Sequence, residues 1–145
     1  MYTAIDIAKY TVDLCVCMGN AINEQRLQKI LYYVQLAFVN KCGHVAFHDD
    51  FEACDNGPIV KSVQEYFSTY GPIEICRFFP ECRCLFFLAD EDRHLVNTVI
   101  ARCLDIDIWD LIELSKNELW QKTYADGAGR NHVIPKDDII AYAKD

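Results

Sequence analysis

Cysteine is the residue type best able to do chemistry in this chain, and three of the eight fall close together as Cys76, Cys82 and Cys84. With Cys54 or a histidine they offer the soft donors that suit zinc. Their spacing argues against it, because no paired C-x-x-C knuckle is present. A C-x-C inside a strand also turns both side chains to one face for packing reasons alone. A cysteine nucleophile would need His44, His48, His94 or His132 as its base, and no local signature surrounds any of the cysteines. The pattern predicts no catalytic residue, no metal and no cofactor. The competing reading is a small metal- or thiol-dependent enzyme built on the Cys76–Cys84 region.

Two other stretches invite chemistry. "DGAGRNH" at 126–132 has the glycines of a phosphate cradle, but it follows a helical pattern and lacks the lysine-plus-hydroxyl ending of a P-loop. A solvent-exposed turn is the simpler reading. The acidic pairs Asp49-Asp50, Glu91-Asp92 and Asp137-Asp138 could hold a cation, but the last two fall in expected first helical turns, where carboxylates complement the helix dipole. Aromatic residues are in surplus: Tyr33, Tyr66, Tyr70, Phe78, Phe79, Phe86, Phe87, Trp109 and Trp120 exceed what one narrow helical stripe requires. Tyrosines at the edge of a helix face are favoured contact residues as well as core residues.

The elements that must position these groups are mostly helical. Thr3 caps a first helix with Asp6 three residues on, and "MGN" at 18–20 closes it. Asn23 caps a second that runs to Gly43. That helix carries Leu27, Ile30, Leu31, Val34 and Phe38 on one face, with Tyr32, Leu36 and Val39 on nearly the opposite one, which places it in the middle of a bundle. "HVAFHDDFEACDN" is too acidic and broken for a helix and is expected to be a loop anchored by Phe47 and Phe51. Pro58 then reads as the first residue of a helix holding Ile59, Val63, Tyr66 and Tyr70 on one face. "IEICRFF" and "CRCLFFL" predict a small β-hairpin around residues 73–88. Asp90 is expected to cap a further helix, and Ser115 with Glu118 to form a capping box. Pro135 is expected to open the last helix. The fold class is therefore mainly α, a single compact helical domain over residues 1–145 with one small β-hairpin.

Composition limits the partners. At 52% hydrophobic and 25% charged residues the chain has the content of a folded core, and its 145 residues bury enough surface to need no disulfide framework. The N-terminal "MYTAIDIAKYTVDL" has no basic leader or long uncharged core, and no window is apolar enough to span a membrane. Eight cysteines without a secretion signal predict reduced thiols and a cytoplasmic protein. A formal charge of −8 opposes the basic footprint that phosphate contacts require. Direct nucleic-acid binding is thus not expected, and a basic protein partner is.

Three stretches carry a resemblance: "LQKILYYVQ" at 27–35, "FEACDNGPIV" at 51–60 and "SKNELWQKTYADG" at 115–127. In this order, together with "TAIDIAKYTVDL" and "IPKDDIIAYA", they resemble the Panacea domain, the SocA-like antitoxin family associated with phage and mobile-element genes. The chain departs from the family pattern at Cys54, Asn56 and Ser115-Lys116. The resemblance implies a helical antitoxin that binds a toxin encoded beside it, either blocking it directly in a chaperone-like way or acting as a proteolysis adaptor that presents it to a cellular protease. The expected toxin-binding surface lies near residues 51–70. There Asp49, Asp50, Glu52 and Asp55 would steer a basic partner and Tyr66 and Tyr70 would give contact area, the alternative for both tyrosines being the core.

Overall fold

A helix that is apolar on two sides has to be enclosed, and helix α2 (Glu24–Cys42) is. In the computed structural model, which describes residues 2–77, 79 and 88–144, Leu27, Ile30, Leu31 and Val34 are fully buried on one side of α2, and Tyr32 and Val39 on the other. Around it pack α1 (Ala4–Cys17), α3 (Lys61–Tyr66), α4 (Asp90–Leu104), α5 (Ile108–Ser115) and α7 (Lys136–Lys144). Strands β1 (Glu52–Cys54) and β2 (Gly57–Ile59) pair antiparallel, β2 lying on α2 and β1 against α6 (Glu118–Tyr124). The fold is mainly α with one small sheet.

The local signals at the first two helices act as the sequence predicts. Thr3 Oγ1 accepts from the Asp6 amide at 3.1 Å, while the Asp6 carboxylate accepts from the Thr3 amide at 3.2 Å, so two otherwise orphan donors are satisfied. Asn23 Oδ1 accepts from the Arg26 amide at 2.9 Å, and Gly43 ends α2 with φ +81°.

Other expectations are corrected. The described sheet sits at 52–59, where a loop and a helix start were expected. The hairpin expected around 73–88 falls mainly on 78 and 80–87, outside the described residues, and no strand is present among the described residues of that stretch. Pro58 opens no helix: it is the centre of β2, and α3 begins at Lys61. The pairing explains why proline is tolerated. Ala53 faces Pro58, but the Ala53 amide donates to His132 O and its carbonyl accepts from the Asn131 amide, both at 2.8 Å, so this pair exchanges no ladder bond and the missing donor loses nothing. Asp90 lies inside α4 rather than capping it. Ser115 forms no capping box; Asn117 caps α6 by accepting from the Trp120 amide at 3.1 Å.

Candidate functional site

The three stretches that carry the resemblance converge on one buried polar joint. The Gln28 side chain holds Val60 from both sides, accepting from its amide at 2.8 Å and donating to its carbonyl at 3.1 Å. Lys29, fully buried, donates to the Pro58 carbonyl at 3.2 Å. Gln35 accepts from the Ala46 amide at 2.8 Å and donates to the Phe47 carbonyl at 3.0 Å. One turn of helix in from these, the Tyr32 hydroxyl donates to Asn117 at 2.8 Å, and Trp120 Nε1 donates to the Cys54 carbonyl at 2.9 Å. One face of α2, joined by Trp120 of α6, thus supplies partners to an extended segment too short to satisfy its own backbone.

This joint has the electrostatics of a structural site. Burial pulls the Lys29 amine down to about 8, with the Glu24 carboxylate opposing the shift. Burial in turn pushes the Glu24 carboxyl up, and one of its oxygens has no hydrogen-bond partner among the described residues. The Cys54 thiol beside them is raised by burial too. A thiol so placed is a poor nucleophile.

The structure disperses the acids picked out from sequence. Asp49 accepts from the Ala4 amide at 2.8 Å and from the Ser62 hydroxyl at 3.3 Å, tying the start of α1 to α3. Asp50 pairs with Lys136 at the start of α7. Glu52 sits in β1, opposite Ile59 and bridged to Val133. Asp55 accepts from the Tyr124 hydroxyl at 2.6 Å and the Arg130 guanidinium at 2.8 Å, which hold its carboxyl below the usual carboxylate range in that order. Tyr66 is 39% exposed and packs edge-on against Phe67, while Tyr70 is half-buried against the same ring. These six residues form no single cluster.

Among the described residues no group of three His, Cys, Asp or Glu is placed to hold a metal ion. Cys76 is exposed; Cys82 and Cys84 lie outside the described residues. Among the described residues no helix is long and apolar enough to cross a membrane.

A feature that sequence reasoning missed lies on a third face of α2. A groove of about 820 Å³ opens between α2, α4, α5 and α7, with Leu114 and Tyr142 on its borders. Arg26 steadies one wall by donating to the Cys103 and Ile106 carbonyls at 2.7 and 2.8 Å, and Asn40 ties α2 to Ala143 O at 2.9 Å. Burial pushes the Tyr33 hydroxyl up to about 12, so it stays neutral in the groove at ordinary pH. The missed signal is the apolar excess of "IWDLIELS": an eight-residue helix with Ile108, Trp109, Leu111, Ile112 and Leu114 cannot bury all five.

Fold and surfaces together define a small helical protein whose buried polar groups hold its own backbone and whose exposed apolar residues border a groove. The chain belongs to the family described as Antitoxin SocA-like, Panacea domain, whose model matches residues 27–121. That span takes in all of the joint's first two motifs and the third as far as Gln121. No curated protein and no solved structure matches the chain.

Proposed function

We propose that this protein is an antitoxin that binds and neutralises a toxin protein encoded by a neighbouring gene. The observation that carries the reading is family membership over residues 27–121. Binding is direct and covers the toxin's working surface; a cellular protease enters as a second partner where the bound toxin is also delivered for degradation. Asp49, Asp50, Glu52 and Asp55 serve as an encounter surface within a molecule of net charge −8, and Tyr66 and Tyr70 give contact area.

The test is co-expression with the neighbouring gene's product. That product should arrest growth alone, and this protein should restore growth and co-elute with it on gel filtration. A harmless neighbour, or arrest that persists, overturns the reading. An unchanged toxin half-life during rescue marks direct neutralisation, and a shortened one marks delivery to a protease. For the encounter surface the probe is Asp50→Asn with Asp55→Asn, which removes charge and keeps shape. Asp49 is left intact because it holds the Ala4 amide. The double variant should slow association, and unchanged kinetics would rule out this surface alone.

A further inference from the structure

The turn after α6 bends in a way that its residues resist. Ala125 (φ +49°) and Asp126 (φ +56°) stand in the left-handed region one after the other, followed by Gly127 at φ +99°. A helix commonly ends on one such residue, usually glycine, because an L side chain there crowds the next carbonyl oxygen. Here the first two positions carry side chains, and contacts on either side impose the shape. The Gly129 amide donates to the Tyr124 carbonyl at 2.9 Å, and a Cβ on Gly129 would come within 1.8 Å of Thr123 O, so the turn lies folded back on the end of α6. Beyond it, the Asn131 amide and the His132 carbonyl bond to Ala53 at 2.8 Å. Between these anchors stands one side-chain clasp. Asp55 Oδ1 accepts from both the Tyr124 hydroxyl and Arg130 Nε, residues just before and just after the strained stretch.

Strain of this kind persists only where the surrounding contacts over-determine it, and it narrows the gap between the closed turn and a relaxed one. The clasp is exposed, with the Asp55 and Arg130 side chains 58% and 57% accessible, so a competitor reaches it from solvent and displaces bonds of surface strength. Its geometry selects the competitor. Both bonds fall on Oδ1, whereas a guanidinium grips a carboxylate through both oxygens and so needs the position that the clasp occupies. An ammonium, a single point charge, settles on Oδ2 and leaves the clasp shut. We propose that residues 125–130 form a strained strap held shut by Asp55, and that an arginine of the toxin opens it by taking that carboxylate. The proposal rests on the antitoxin reading above and names how one residue of the encounter surface responds to the partner. Tyr124 keeps its place when the clasp opens, because its ring stacks on Trp120 at 4.2 Å and Trp120 is bonded to the Cys54 carbonyl.

Two substitutions that leave every charge in place separate the strap from simple attraction. Tyr124→Phe removes half of the clasp, and Ala125→Gly relieves strain in the closed turn. In the free protein, amide exchange at Ala128 and Gly129 should quicken about threefold or more in Tyr124→Phe, the worth of one surface hydrogen bond. It should slow in Ala125→Gly, whose Tm should rise. Calorimetry with the intact neighbouring gene product should then show opposite shifts. Tyr124→Phe should bind about threefold or more tighter, because less binding energy goes into opening the strap, and Ala125→Gly should bind weaker by a similar factor. Attraction to a fixed surface moves neither. Affinities that match the wild type or shift in the same direction overturn the strap and leave the antitoxin reading standing. A Tm that falls in Ala125→Gly does the same, since the turn then holds no strain. An Arg130 Nε resonance unchanged by the partner shows the clasp still shut and overturns the proposal too. Failure of the wild type to rescue growth overturns the antitoxin reading and the toxin-driven opening with it, and the free-protein exchange then decides the strap by itself.

Discussion

Gly57 sits where only glycine fits, for two separate reasons. Its φ is +102°, and a Cβ there would meet Ser115 Oγ at 2.4 Å and Lys29 Nζ at 3.0 Å. Gly57→Ala is therefore expected to cost about 2–4 kcal/mol, from backbone strain plus overpacking, and to lower Tm by on the order of 10 °C. In the double variant with Ser115→Ala the clash is relieved while the strain remains, so thermal unfolding should show the double losing less than the sum of the two singles. Lys29 gives a pH signature. Its amine titrates near 8 folded and near 10.5 unfolded, so between those values the unfolded chain binds more protons and stability rises with pH. Buried Cys15 and Cys103, raised from 9.0 to about 11, act in the opposite sense above pH 9, and two thiols outweigh one amine. The net rise ends near pH 9 and amounts to no more than about 0.5 kcal/mol. Urea midpoints across this range should show it, and Lys29→Met should abolish the rise while keeping the fall above it.

At the scale of elements, α2 acts as a template for chain that cannot form a sheet alone. Two three-residue strands are too short for independent stability; Lys29, Trp120 and the 131–134 segment satisfy their backbone, while Gln28 and Gln35 hold the flanking Val60 and the 46–47 segment. Gln35→Leu keeps the apolar packing of the helix but strands the Ala46 amide and the Phe47 carbonyl. It should destabilise by about 3 kcal/mol. Hydrogen exchange should then accelerate at Ala46 and Phe47 before it does in α4. Uniform acceleration across both would mean that the segment and the helices open together, contrary to a locally clipped loop.

At the scale of the whole molecule, 22 acidic against 14 basic residues give a field that acts before any contact forms. Association with a basic toxin should slow about tenfold or more as salt rises from about 50 to 500 mM, while dissociation changes little, because screening removes steering and leaves desolvated apolar contacts in place. Stopped-flow binding with the neighbouring gene's product measures both rates. Asp50 and Asp55 lie in ion pairs with Lys136 and Arg130, so they steer a partner only through their share of the net charge.

Helix α2 was legible in the sequence because everything that defines it is local: Asn23 before it, Gly43 after it, and an apolar period on two sides that only enclosure can satisfy. The same holds for the Thr3–Asp6 box. The hairpin at 52–59 was not legible, because Pro58 has a φ that suits a helix start and an extended strand equally, and three residues are too few to show a period. What settled it lies about thirty residues upstream in Lys29 and Gln28 and some seventy-five downstream in Asn131 and His132. The acids of the 49–55 loop could be named from sequence, but not their partners Ala4, Lys136 and Tyr124, which come from three separate helical regions. The groove exists only once α2, α4, α5 and α7 are assembled. Its walls are apolar stripes that look like ordinary core in each helix taken alone, and tertiary packing decides which of them stays uncovered.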